Sequence, residues 1–185
     1  MVWWALSNPS LMSLLNNWRK QVRVNITLTR EEALVLLHVI IPWTIRQRTI
    51  TFGHLHAQYE RGLDDGRLDP RAVSKQIALL DAVIMQLGRR SGDVSVPPIS
   101  AIVIDSKTRE PSPNIRPAVK QFMLLNGVPG AGALKIKGAD SEWVWALRYT
   151  ERAVWDYKGW GSVQTAITAM DEAEFQTLLP EQSRL

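Results

Sequence analysis

The chain contains no cysteine. That absence removes disulfides, thiolate metal sites, thiol nucleophiles and thioether-linked haem from consideration. Tyrosine and phenylalanine are scarce, three of each, against eight tryptophans in 185 residues. Aromatic packing therefore falls to large indole surfaces. Long hydrophobic runs are missing as well. The longest apolar stretch, 33–43, is interrupted by His38 and Pro42 and is too short for a bilayer. The apolar opening Met1–Leu6 has no basic flank before it and no small-residue cleavage pattern after it, so no export signal is expected. These absences lead to the expectation of a soluble, cytoplasmic protein that uses no cofactor and no membrane.

What is present is ordinary for a globular chain, with 45% hydrophobic and 22% charged residues. The length suits a domain able to bury a sizeable core. An excess of 22 Lys+Arg over 18 Asp+Glu gives a formal charge of +4. That balance permits a polyanionic partner without requiring one.

Helix signals dominate. Asn8-Pro9-Ser10 leads into Leu11, Leu14, Leu15 and Trp18, an amphipathic spacing with Arg19, Lys20 and Arg23 at its C-terminal side. Residues 22–28 alternate as a short strand or extended linker. Thr29 and Glu32 have capping-box spacing before an apolar helix over 33–41, expected to be central, to hold His38 in the core, and to kink or end at Pro42. Thr51 is a plausible cap for another short helix.

Asp69-Pro70-Arg71 opens a helix whose Val73, Ile77, Leu80, Ile84 and Leu87 mark one face through to Gly88. Residues 100–104 read as a buried strand ended by the polar turn Asp105-Ser106-Lys107-Thr108, and 110–117, with three prolines, as a structured loop. Four glycines in 126–138 suggest mobility. Further helices are expected over 141–157 and near 171–179, the latter ending at Pro180. The fold class is therefore mainly α with a small β-sheet. A winged-helix-like module over 50–117 would carry helical extensions at 1–49 and 118–185, the second joined by a Gly-rich linker and rich in tryptophan.

Several short motifs occur in a suggestive order. Thr51-Phe52-Gly53 is followed by Leu55, then by Arg71-Ala72-Val73-Ser74 opening a helix, then by Pro98-Ile99-Ser100-Ala101-Ile102-Val103-Ile104. Over 50–115, about a third of the chain, this resembles the C-terminal DNA-binding domain of O6-alkylguanine-DNA alkyltransferases and alkyltransferase-like proteins. The resemblance implies a helix presented to the minor groove, with Arg71 inserted at the duplex and Ala72 allowing close approach. It cannot imply the chemistry, because alkyl transfer needs a thiolate and serine and alanine stand at 100 and 101. Phe52 also lacks the hydroxyl of the family tyrosine that helps turn a nucleotide out.

Charge gives an independent argument for nucleic acid. Arg71 and Lys75 are one turn apart on the helix 71–87, and Arg46 and Arg48 precede the Thr51 helix. Arg89, Arg90, Lys107, Arg109 and Arg116 follow, the last three in the expected wing 105–116. Phosphate neutralisation needs such a cluster. Duplex DNA, bound without catalysis, is the expected partner, with Arg71, Ala72, Lys75, Thr51, Phe52, Lys107, Arg109 and Arg116 as contacts. A solvated basic face is the alternative reading.

Two further readings stay open. Trp143, Trp145, Trp155 and Trp160 could form a protein interface, for an adaptor or for self-association, and Trp3 and Trp4 pose the same question. Trp143 and Trp145 cannot share one helix face. Asp105-Ser106-Lys107 with Asp93 imitates a Mg²⁺-dependent nuclease half-motif. His54 and His56, one residue apart, lack a third ligand nearby and read as surface histidines. Ser100 has no histidine close in sequence.

Overall fold

The structure, a computed structural model, describes residues 27–62 and 70–181. The helix expected over 8–23, most of the extended segment 22–28, Trp3 and Trp4 lie outside the described residues, as does the side chain of Arg71.

Helix α1 (Arg30–Ile45) starts at the expected capping box. Thr29 Oγ1 accepts the Glu32 N–H at 3.2 Å, and the Glu32 carboxylate accepts the Thr29 N–H at 2.7 Å. Pro42 lies inside the helix and does not end it. Closure comes at Gln47, whose φ is 53°, where Gln47 N–H donates to Thr44 O and Arg48 N–H to Trp43 O. This pair of bonds is the Schellman closure, usually made by glycine. Ala33, Leu36, Leu37 and Ile40 are buried, so the helix is central. His38, expected in the core, is instead exposed. It shares an outward stripe with Glu31 and Ile45, each seven residues away, that an apolar composition conceals.

Strand β1 (Ile50–Thr51) runs directly into α2 (Phe52–Gly62), where Thr51 Oγ1 accepts the His54 N–H at 3.3 Å, the cap expected. Helix α3 (Pro70–Ser91) is the longest of the described helices. It packs against α1, α2, α4 and the 3₁₀ turn Ile99–Ile102. Between residues 72 and 88, Lys75 is the one exposed position. The expectation of a docking helix displayed to solvent is corrected accordingly, since an element that organises a core has little face left to present.

Strand β2 (Val103–Ile104) pairs with β1 in parallel, Ile50 opposite Val103 and Thr51 opposite Ile104. The strand expected over 100–104 is thus half 3₁₀ turn. Ser100 gives its backbone N–H to the Asp81 carboxylate at 3.1 Å, which draws the chain towards α3 and out of any ladder. The loop expected over 110–117 holds a second 3₁₀ turn, Pro113–Ile115, and then the start of α4 (Arg116–Leu125). Pro117 in a first helical turn costs no hydrogen bond, so the proline that suggested a loop opens a helix.

Helices α5 (Asp140–Asp156), α6 (Trp160–Ala169) and α7 (Glu172–Gln176) complete the chain. The sequence reading has no counterpart for α6, although Trp160, Val163 and Ile167 bury themselves at helical spacing. The glycine-bearing segment 126–138 is tied down. Lys120 donates to the carbonyls of Gly132 and Leu134, and the Trp143 indole donates to that of Lys135 at 3.1 Å. One buried cluster runs from Leu28 to Leu179 and draws on all three of the expected segments. Among the described residues no helix is long and apolar enough to cross a membrane.

Candidate functional site

One stripe of α5 carries Val144, Leu147, Arg148, Glu151 and Trp155 at intervals of three and four. Facing it are the turn that closes α1 and the turn that follows β2. Between them lies a cleft of about 410 Å³ lined by Gln47, Arg48, Thr49, Ile104, Arg109, Arg148, Glu151 and Trp155. A smaller notch continues it, where Ala101, Glu110, Pro111, Val144 and Leu147 join Ile104 and the same Arg109, Arg148 and Glu151.

Both turns hold unusual backbone. Gln47 (φ 53°) and Arg109 (φ 59°) are the two non-glycine residues with positive φ among the described residues, and both line this cleft. Such a conformation costs a side-chain-bearing residue about 1–2 kcal/mol. The Arg109 turn is built by Asp105, whose Oδ1 accepts the N–H groups of Lys107 at 2.8 Å and Thr108 at 2.9 Å. Those bonds, with the Thr108 one foremost, hold the Asp105 carboxyl below its ordinary range. Arg109 N–H returns to Asp105 O, Asp105 N–H binds Glu110 O, and Pro111 bridges back to Ile104. The turn is short and closed, and it fixes the point from which the Arg109 side chain leaves.

Charge in the cleft is unbalanced. Arg148 pairs with Glu151 at 2.8 Å, the carboxylate buried and the guanidinium largely exposed. Arg48 and Arg109 are exposed and have no carboxylate partner among the described residues. Three guanidiniums face Glu151 in the cleft, and Glu110 adds a second carboxylate in the notch, so a net positive charge remains to accept an anion. Beside it the Trp155 indole N–H is buried without a hydrogen-bond partner among the described residues.

The residues expected to bind nucleic acid are dispersed by the fold. Lys107 and Arg109 are exposed on the turn beside the cleft. Thr51 and Phe52 are half-buried, and Ala72 likewise. Lys75 is exposed, but its neighbour Gln76 binds Glu32 in the first turn of α1, while Arg48 follows the last turn. About 20 Å of helix separates those levels, so Lys75 is not brought to the cleft. Arg116 is removed from the contact set altogether. It is buried, ion-paired with Asp140, bonded to Gly138 O at 3.0 Å, and stacked 5.2 Å from the Trp143 ring centroid.

The expected tryptophan interface is likewise divided. Trp143 (0% exposed) and Trp160 (4%) are core side chains, which corrects their assignment to an interface. Trp145 is exposed and Trp155 half-buried at the cleft.

The remaining chemistry is engaged in holding the fold. Asp93 accepts from Ser95 and from the Tyr157 hydroxyl at 3.0 Å, and the Ser95 bond above all keeps its carboxyl low. Asp105 builds its turn. Among the described residues no three metal-ligating side chains gather. Ser100 meets Asp81, not a histidine. His54 stacks edge-on to Trp43, and His56 lies 3.5 Å from Glu60.

Arg148 and Glu151 escaped the sequence reading. Their signal was a charged pair set three apart on a stripe otherwise apolar at Val144, Leu147 and Trp155. Compared with protein-family models, with curated proteins and with solved structures, the chain matches none.

Proposed function

We propose that the protein binds nucleic acid without catalysing a reaction, through the face that carries Arg48, Lys107, Arg109 and Arg148. The observation that supports this most is the cleft itself: two exposed guanidiniums without carboxylate partners converge with a third on one concavity. Guanidiniums arranged in this way suit phosphate oxygens, and a fixed turn presents one of them with little conformational freedom to lose. In this reading the exposed turn after β2, which carries Lys107 and Arg109, takes the part of the wing. Contact is centred there and not on the packed helix α3.

The test is binding of labelled duplex DNA and of single-stranded oligonucleotides to the wild type and to Arg109→Gln and Arg48→Gln. Weaker binding of every ligand by both variants, with unchanged melting temperature, supports the reading. Undiminished binding moves the contact elsewhere.

A protein-interaction role is the second reading, and one observation favours it. Leu124, Leu125, Val144, Trp145 and Tyr149 are each more than 40% exposed on α4 and α5. Sizing the protein before and after nuclease treatment separates the two: an oligomer that persists without nucleic acid favours protein contact.

A further inference from the structure

The cleft has a component that phosphate binding alone does not explain. Glu151 is 7% exposed and stands among three arginines, where a carboxylate weakens the attraction for any anion. One of its oxygens accepts from Arg148 at 2.8 Å. The other has no hydrogen-bond partner among the described residues, yet it is not sealed from solvent. Glu151 is a residue of the wall shared by the cleft and the notch. An ionised carboxylate oxygen is an acceptor only. Its natural complement on a ligand is a hydroxyl donor close to the phosphate.

We infer that the cleft takes one ribonucleotide unit of an RNA strand, its phosphate on Arg48, Arg109 and Arg148 and its sugar 2′-hydroxyl on Glu151. The hydroxyl is what distinguishes RNA from DNA at a single position. A carboxylate reading a ribose hydroxyl is a recurrent solution, and the adjoining notch of Ala101, Ile104, Pro111, Val144 and Leu147 offers an apolar surface to the carbon edge of the sugar. The anchoring of Glu151 by Arg148 fixes the acceptor before the ligand arrives. DNA meets the same arginines but leaves the Glu151 oxygen facing a carbon-bound hydrogen, so the repulsion between carboxylate and phosphate is uncompensated.

This inference rests on the nucleic-acid reading above, and the experiment separates the two. Affinities of the full chain are measured for single-stranded RNA and DNA 12-mers of one sequence, with the wild type, Glu151→Gln and Arg109→Gln. The expected result is RNA binding about tenfold tighter than DNA, in line with one charge-assisted hydrogen bond. Glu151→Gln, which keeps the shape of the side chain, is expected to shrink that ratio towards one by strengthening DNA binding. Arg109→Gln is expected to weaken both ligands while leaving a preference for RNA. Equal wild-type affinity for RNA and DNA, with both weakened by Arg109→Gln, overturns the ribose assignment and leaves nucleic-acid binding standing. A preference for RNA unchanged in Glu151→Gln also overturns it. Binding of neither ligand at low salt overturns both readings. Circular dichroism melts of the two variants verify that each is folded.

Discussion

Ser100 gives both of its donors to Asp81. Its backbone N–H lies 3.1 Å from one carboxylate oxygen and its hydroxyl binds the other. Both residues are buried, and the pair joins helix α3 to the turn that feeds β2, and so to one wall of the cleft. Burial pushes the Asp81 carboxyl up to about 7 from an ordinary 3.8, against the opposing pull of the Ser100 bonds.

Stability should therefore depend on pH in a direction unusual for an aspartate. Between about 4 and 7 the folded protein keeps the Asp81 proton while the unfolded chain has lost it. Folding binds a proton there, so this contribution is full below about 4, declines as pH rises, and is gone above about 7. The slope approaches about 1.4 kcal/mol per pH unit, a few kcal/mol in all. Urea unfolding from pH 4.5 to 7.5 measures it. Asp81→Asn should flatten the curve relative to the wild type. Parallel curves in the two proteins would contradict the assignment.

Arg116→Ala should lower stability by about 1–3 kcal/mol, because it takes a buried guanidinium away from the Gly138 carbonyl and uncovers Trp143, while the exposed Asp140 carboxylate returns to water. Thermal and urea denaturation report the loss. The contrast is with an exposed arginine such as Arg48, which has no carboxylate partner among the described residues and whose truncation should cost less than about 0.5 kcal/mol.

Arg109→Gly should do two opposite things. Glycine relieves the positive φ of 59°, so the variant should gain about 1 kcal/mol or remain unchanged in stability. It should also bind nucleic acid more weakly. A residue that strains the backbone and whose removal impairs binding is held for function. A variant that is both less stable and equally competent in binding would refute this reading of the turn.

The tryptophans should separate cleanly. Trp143→Ala removes a fully buried indole that donates to Lys135 O, and should destabilise by about 3–5 kcal/mol. Trp145→Ala, two residues away and exposed, should change stability by less than about 0.5 kcal/mol. Denaturant midpoints decide both.

The local chemistry of helix starts was legible. Thr29 with Glu32, and Thr51, cap the elements they were expected to cap, because each bond lies within three residues. Mainly helical content with a small sheet followed from the same signals. What failed depends on distant partners. Arg116 reads as a free cation until Asp140 and Trp143 close over it, and Ser100 as a strand residue until Asp81 pulls it aside. The apolar run of α1 hides an outward stripe because His38 sits in it alone. Half of the cleft was within reach, since Arg48, Lys107 and Arg109 belong to visible basic clusters. Arg148 and Glu151 were not, because only the docking of α5 against the turn after β2 makes them neighbours of those residues.

The central claim is that the arginines of the cleft contact phosphate, and salt dependence tests it most directly. Affinity for one oligonucleotide is measured from 50 to about 200 mM salt, for the wild type and for Arg48→Gln/Arg109→Gln. Each lost phosphate contact should reduce the slope of log K against log salt by about 0.7–0.9, so the double variant should lie about 1.5 units shallower. Identical slopes in the two folded proteins would contradict the account.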